Sequence, residues 1–435
     1  MSSGRPFRVA IVGGGPAGAS LATLLASDGA EVVLFADDER REVVVGESLV
    51  PAIVPSLRRL GVEDAVAAIS RVKPGVAFEW GGIRVAFTFS RYGRPMVPYA
   101  YNAPRPEFEE VLRVRAAAAG ARVVTLRTRL ARGGGGEPEL VLDPAALDAT
   151  GWDGDHPDLL VDATGRARVG ARLLAIPARR GPRDDVAHFA HFTGHAWDDT
   201  PGYVLIGRVK GGWSWRIPLP DRLSVGVVLD RTVAARLGDT PLARLEASIA
   251  ATPELATTLR NATRVTGVAT YANYQLVTTR GFGTGWVAVG DAFGFVDPML
   301  SPGTSVALRS AELLSDALAP VLRAHRSGRP APPMAPGLTR YARRLTALLD
   351  AWMDLVEYLY DGRMMALVKA GTNMVNERGD VFARLLAEHA ERNVAMLASG
   401  TEIGSRYRHA ALRFMGRYGL RGVSPAHHAI DSATS

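Results

Sequence analysis

Gly13, Gly15 and Gly18 stand in the order G-x-G-x-x-G, directly after the apolar run Val9-Ala10-Ile11-Val12 and directly before the apolar stretch Ala19 to Ala26. A near-continuous apolar run reads as a buried parallel strand, and the stretch after it as a helix. In that context each glycine has its own task. Gly13 makes the tight turn, Gly15 lets the backbone approach a pyrophosphate, and Gly18 lets the helix pack on the strand. The helix start at Ala17 then offers amide donors and a positive dipole to the phosphates. The chemistry predicted here is dinucleotide binding. The next strand, Glu31 to Phe35, should end on an acid for the ribose hydroxyls. Ala36 holds that place and Asp37 follows it, so Asp37 is expected to take the ribose through a small shift.

An extended cofactor needs a second anchor far along the chain. Asp158 to Arg166 reads as a buried strand ending in the polar turn Asp162-Ala163-Thr164-Gly165-Arg166, and Gly285 to Val289 as another, closing on Gly290-Asp291. A carboxylate such as Asp291 suits ribityl hydroxyls. Ser301-Pro302-Gly303-Thr304 opens a helix whose N-terminus can face the electron-rich edge of a flavin or a small anion. The expected cofactor is therefore FAD.

Taken together, Gly13–Gly18, Gly46-Glu47-Ser48-Leu49-Val50-Pro51, Asp162–Arg166 and Gly290-Asp291 resemble the two-domain FAD enzymes that include aromatic hydroxylases, geranylgeranyl-type reductases and flavin-dependent halogenases. The likeness runs from about residue 8 to residue 320. It implies that Ser48 and Arg105, the latter within Pro104-Arg105-Pro106, lie near the flavin.

Three segments separate the branches. Trp213-Ser214-Trp215-Arg216-Ile217-Pro218 resembles the W-x-W-x-I-P signature of the halogenases. Alternation on a strand puts both rings on one face, where they could wall off a path beside the flavin, or simply pack as core. Lys73, in Lys73-Pro74-Gly75-Val76-Ala77-Phe78-Glu79-Trp80, resembles the segment in which phenol- and carrier-type halogenases place their lysine. Only Lys73, Lys210 and Lys369 are lysines among 51 basic residues. An amine can hydrogen-bond hypohalous acid or be halogenated by it, whereas arginine is always protonated. Asp162-Ala163-Thr164-Gly165-Arg166 looks like the halogenase and reductase side.

The resemblance thus implies a flavin-dependent halogenase of secondary metabolism, such as antibiotic biosynthesis. It would use FADH2 from a separate flavin reductase, O2, and chloride or bromide to halogenate a phenol, pyrrole or carrier-protein-tethered arene. Lys73 would be the catalytic group, Trp213 and Trp215 the channel wall, and Gly303 and Thr304 the halide cup. One departure bears on the last point: Pro302 stands where the family has a residue with an amide to donate. The alternative on the same scaffold is an aromatic hydroxylase or prenyl-chain reductase, a reading Ser224-Val225-Gly226-Val227 could serve.

The elements that must position these residues form an α/β protein. The expected organisation is a discontinuous Rossmann-type FAD domain over 1–75, 100–175 and 275–325, with an antiparallel-sheet substrate domain over 76–99 and 176–274. The glycine run Gly133–Gly136 should interrupt the first domain. A proline-rich break at 328–337 precedes amphipathic helices over 338–420, shown by Leu345, Leu348, Leu349, Met353, Val356 and Leu359. They are expected to lid the substrate site, with 421–435 a frayed tail. His188 and His191, three apart on one strand, should face opposite ways, so no metal site is expected and both read as sheet core.

The 435 residues carry 47% apolar and 22% charged side chains, ordinary for two or three globular domains. The absence of cysteine excludes disulfides, thiolate nucleophiles and Fe–S clusters. A net charge of +7 spread without basic blocks argues against nucleic acid and for anionic small molecules or acidic proteins. No apolar run reaches the roughly 18–20 residues of a membrane span and no signal peptide is visible, so a cytoplasmic protein is expected.

Overall fold

The computed structural model describes residues 5–37, 44–80, 82–134, 139–197, 199–273, 275–378, 381–420 and 422–430. Gly135 and Gly136 of the expected glycine loop lie outside the described residues.

A six-stranded sheet carries the cofactor motifs. Its strands lie in the order Phe282–Gly283, Trp286–Ala288, Leu159–Asp162, Arg8–Val12, Glu31–Ala36, Arg122–Thr125. All neighbours run parallel except the short hairpin at the first edge. Ile11, Leu34, Val161 and Val287 are fully shielded, as strands covered by helices on both faces require. Register does the positioning. Val12 pairs with Asp162 on one side and Phe35 on the other, and Asp162 pairs with Ala288. The turns after these strands therefore open side by side into one crevice at the carboxyl edge, where open α/β sheets bind ligands.

The second sheet runs Thr263–Arg264, Asp185–Thr193, Leu223–Asp230, Gly212–Pro218, Val204–Val209, Gly75–Trp80, Ile83–Thr88, with Ala269–Asn273 also on Asp185–Thr193. It is antiparallel apart from one pair: Val204–Val209 runs parallel to Gly75–Trp80. That hairpin arrives from early in the chain and docks on the sheet's edge, a pairing no local pattern encodes.

After the long helix Pro302–Arg326 come four more: Ala335–Tyr360, Arg363–Arg378, Val381–Ala398 and Arg406–Tyr418. Leu345, Leu349, Val356 and Leu359 form the buried stripe of the first. The tail departs from the expectation of fraying. Pro425–His428 form a helical turn, the Trp80 indole donates to the His428 carbonyl at 2.6 Å, and the Ile430 amide donates to Tyr360 at 2.9 Å. Burial of Ile430 and His428 offsets the entropy that would otherwise free the segment.

Candidate active site

The crevice is a cleft of about 1050 Å³ running from Asp37 past the glycine turn to Trp213 and Trp215. Gly13, Gly15, Ala17, Asp37, Ser48, Arg105, Asp291, Gly303 and Thr304 all line it. Gly18 and Gly290 lie one layer behind. A Cβ on Gly18 would stand 1.9 Å from the Gly13 carbonyl oxygen, and one on Gly290 2.7 Å from the Ala17 Cβ, so both are close-packing glycines. Asp37 sits at the rim, 3.7 Å from Arg127. Asp162 is fully buried and ties its own turn together, accepting from the Thr164 amide, the Thr164 hydroxyl and the Gly170 amide. Arg166 of the same turn lies on the Tyr271 ring, 3.8 Å away.

These residues fit FAD. A Cβ on Gly15 would meet nothing within 4 Å, so no protein contact requires the glycine and the space before it is open to a ligand. Asp291 faces the same space, and burial raises its carboxyl to about 6, while Arg166 and Arg105 pull it back down. An acceptor held near its ionisation point suits the hydroxyls of a ribityl chain. Arg105 bridges the two ends of the site. Its guanidinium donates to the Val45 carbonyl at 3.2 Å and to the Thr304 hydroxyl at 3.1 Å, linking the 44–48 turn to the start of helix Pro302–Arg326. Pro302 takes the first position of that helix, where its missing N–H costs no intrahelical bond.

Lys73 ends the strand Arg71–Lys73 and is buried at 4% exposure. Its ammonium donates to the Ser48 hydroxyl at 2.8 Å and the Leu49 carbonyl at 2.9 Å. Burial lowers its pKa to about 7. It lines a second, apolar chamber of about 40 Å³ with Val50, Phe78, Phe87, Phe89, Met364, Val394, Ala395 and Ala398. Val204, Ile206 and Ser301 line both cavities. Lys73 lines the chamber only and meets the cleft through the hydroxyl of Ser48, which lines it, while helices Arg363–Arg378 and Val381–Ala398 supply another side of the chamber.

Trp213 and Trp215 line the cleft from strand Gly212–Pro218, their rings 5.7 Å apart. Both indoles are anchored: Trp213 donates to the Tyr360 hydroxyl at 2.9 Å and Trp215 to the Ser224 hydroxyl at 3.2 Å. They are wall and core at once. Two residues escaped the sequence reading. Glu47 lines the cleft, and His191, read as plain sheet core, reaches it with a ring nitrogen 2.8 Å from the carboxylate. His188 does face the other way, against Thr270 at 3.1 Å. No group of three metal-ligating side chains occurs among the described residues.

Comparison with known proteins agrees with this geometry. The FAD binding domain family matches residues 7–143, and the tryptophan halogenase family matches residues 92–362, more than half of the chain. A tryptophan 2-halogenase of Chondromyces crocatus is 26% identical over 436 residues, covering 98% of this chain and 80% of the relative. A 1H-pyrrole-2-carbonyl peptidyl-carrier-protein chlorinase of Pseudomonas fluorescens is 26% identical over 347 residues, covering 72% and 76%. The structure of the flavin-dependent brominase Bmp2 superposes with a TM-score of 0.74 at 21% identity, covering 95% of this chain and 99% of that one, a likeness of fold. A cleft built for FAD, a buried lysine beside it and these matches lead to one conclusion: the chain belongs to the tryptophan halogenase family, enzymes that are FAD-dependent oxidoreductases.

Proposed function

We propose that this enzyme halogenates an electron-rich ring, a phenol, a pyrrole or a carrier-protein-tethered arene, and that Lys73 passes the halogen to it. The observation that carries the reading is the place of Lys73, buried between the FAD cleft and an apolar chamber, with its pKa brought to about 7. Bound FAD, reduced by a separate flavin reductase, supplies the two-electron chemistry in which FADH2, O2, halide and a proton give FAD, hypohalous acid and water. The residues then have distinct tasks. The Gly303 and Thr304 amides, at the start of a long helix, are suited to hold halide. The anchored rings of Trp213 and Trp215 exclude bulk water from the far end of the cleft. The neutral Lys73 amine forms an N–halogen bond as hypohalous acid loses its hydroxyl and the amine proton as water. The arene carbon then takes the halogen, and its proton returns the amine.

The chamber, at about 40 Å³, is far smaller than the about 150 Å³ of an apolar cavity that binds benzene. Entry of a ring therefore requires the chamber to widen, and helices Arg363–Arg378 and Val381–Ala398, which form one side of it, are the lid in this reading. The carrier-tethered option rests on the pyrrole chlorinase among the relatives.

Lys73→Ala and Lys73→Arg test the assignment. Each variant would be supplied with a flavin reductase, oxygen, bromide and a panel of free and carrier-bound phenols, indoles and pyrroles. Both should retain FAD and flavin oxidation while halogenated arene, followed by mass spectrometry, falls to background. Arginine cannot substitute because its guanidinium stays protonated. Wild-type product yield in either variant would remove Lys73 from the reaction.

A further inference from the structure

The buried pair Glu47–His191 is not used by the reaction as derived, and its geometry is unusually determined. Glu47 and His191 are 3% and 2% exposed. The imidazole Nε2 lies 2.8 Å from Glu47 Oε1, and the Arg222 Nε donates to its Nδ1 at 3.2 Å. A guanidinium can only donate, so Nδ1 is the acceptor and the ring proton sits on Nε2, pointing at the carboxylate. Arg222 thereby fixes the tautomer.

Glu47 is followed by the residue that holds Lys73. The Glu47 carbonyl accepts from the Ala103 amide at 2.8 Å, and Ser48 forms a bridge with Asn102, so this stretch is extended. Successive side chains on an extended backbone point opposite ways. Glu47 accordingly reaches across to His191 on strand Asp185–Thr193, while Ser48 turns to Lys73. The Lys73 ammonium depends on two consecutive residues, the Ser48 hydroxyl and the Leu49 carbonyl, and Glu47 pins the near end of that pair.

We propose that His191 is a positioning residue for Lys73: through Glu47 it fixes the Ser48–Leu49 edge, and so holds the Lys73 amine dry between cleft and chamber. The inference rests on the reading of Lys73 as the halogen-transferring amine. Without His191 the Glu47 carboxylate loses its donor and seeks water, the edge loosens, and Lys73 is rehydrated.

The test uses the full chain, labelled with 15N at the lysine side-chain nitrogen. Three lysines give three signals, and Lys73→Ala identifies that of Lys73. In the wild type the Lys73 signal should titrate near 7. In His191→Leu it should move upward by about one unit or more, toward the ordinary lysine value of about 10.4. His191→Gln, whose amide can still donate to Glu47, should restore the wild-type titration. FAD retention, read from absorbance, should stay unchanged throughout. If His191→Leu does not fold, His191→Phe, which keeps a ring of similar size without a donor, should shift the same signal. A Lys73 titration unmoved in His191→Leu, or in a folded His191→Phe, overturns the inference, as does failure of His191→Gln to restore it. A wild-type Lys73 that titrates near 10.4 contradicts instead the reading of Lys73 as a neutral amine.

Discussion

Lys73 and Asp291 are moved by the same cause in opposite directions. Burial penalises charge, so it lowers the amine to about 7 and raises the carboxyl to about 6. For Asp291 the consequence concerns cofactor affinity. If the carboxylate accepts the cofactor's hydroxyls, protonation competes with FAD as pH falls through 6. The dissociation constant, measured by flavin fluorescence quenching, should rise between pH 7 and pH 5. Asp291→Ala should weaken FAD by about 10- to 100-fold, the loss of hydrogen bonds to a charged group worth roughly 1.5–3 kcal/mol, and should flatten that pH dependence. An Asp291→Ala variant that binds FAD as tightly as wild type would remove the carboxylate from the site. The positions of Asp291 and the glycines at the cleft, and of Lys73 at the chamber, were legible because each sits in a local pattern. The pairing of Glu47 with His191 was not: Glu47 lies in the Gly46–Pro51 motif, but 144 residues separate it from His191 and no local pattern links the two.

At the scale of the element, the strand–turn–helix at the N-terminus separates two kinds of glycine. Gly13 has φ +120°, and a Cβ there would stand 2.2 Å from the Ala163 carbonyl oxygen, so Gly13→Ala strains the backbone and collides with the neighbouring turn. It should cost roughly 1–3 kcal/mol or more, seen as a lowered melting temperature with or without FAD. Gly15 caps the helix at φ −76° with open space before it. Gly15→Ala should cost about 1 kcal/mol or less in the unloaded protein, yet weaken FAD by at least about tenfold, because the added methyl occupies the path of the pyrophosphate. Equal effects of the two substitutions on unloaded stability would contradict this division. The helix and strand periods announced these elements. The docking of hairpin Gly75–Thr88 beside Val204–Val209, and of the Pro425–His428 turn under Trp80, depends on partners far away in sequence. Local propensity carries no information about either.

Across the whole molecule, three bodies of structure meet at one wall. The parallel sheet opens its carboxyl edge as a cofactor cleft, the second sheet covers that cleft with Trp213 and Trp215, and the C-terminal helices close the chamber on the far side of Lys73. The order of these bodies followed from sequence, since alternating strands and helices require a parallel sheet and the proline-rich segment marks the last boundary. Their meeting point did not, because cavities are formed by packing between elements. No described helix is long and apolar enough to cross a membrane.

The central question for this assembly is whether it converts halide to an electrophile. The direct measurement is to reduce the FAD-loaded enzyme without oxygen, then mix it with oxygen in the presence or absence of chloride or bromide and a small diketone trap for electrophilic halogen. Halogenated trap should form only with halide, at up to one equivalent per flavin, with no arene supplied. Reoxidation that yields hydrogen peroxide and no halogenated trap, for both ions, would contradict the account.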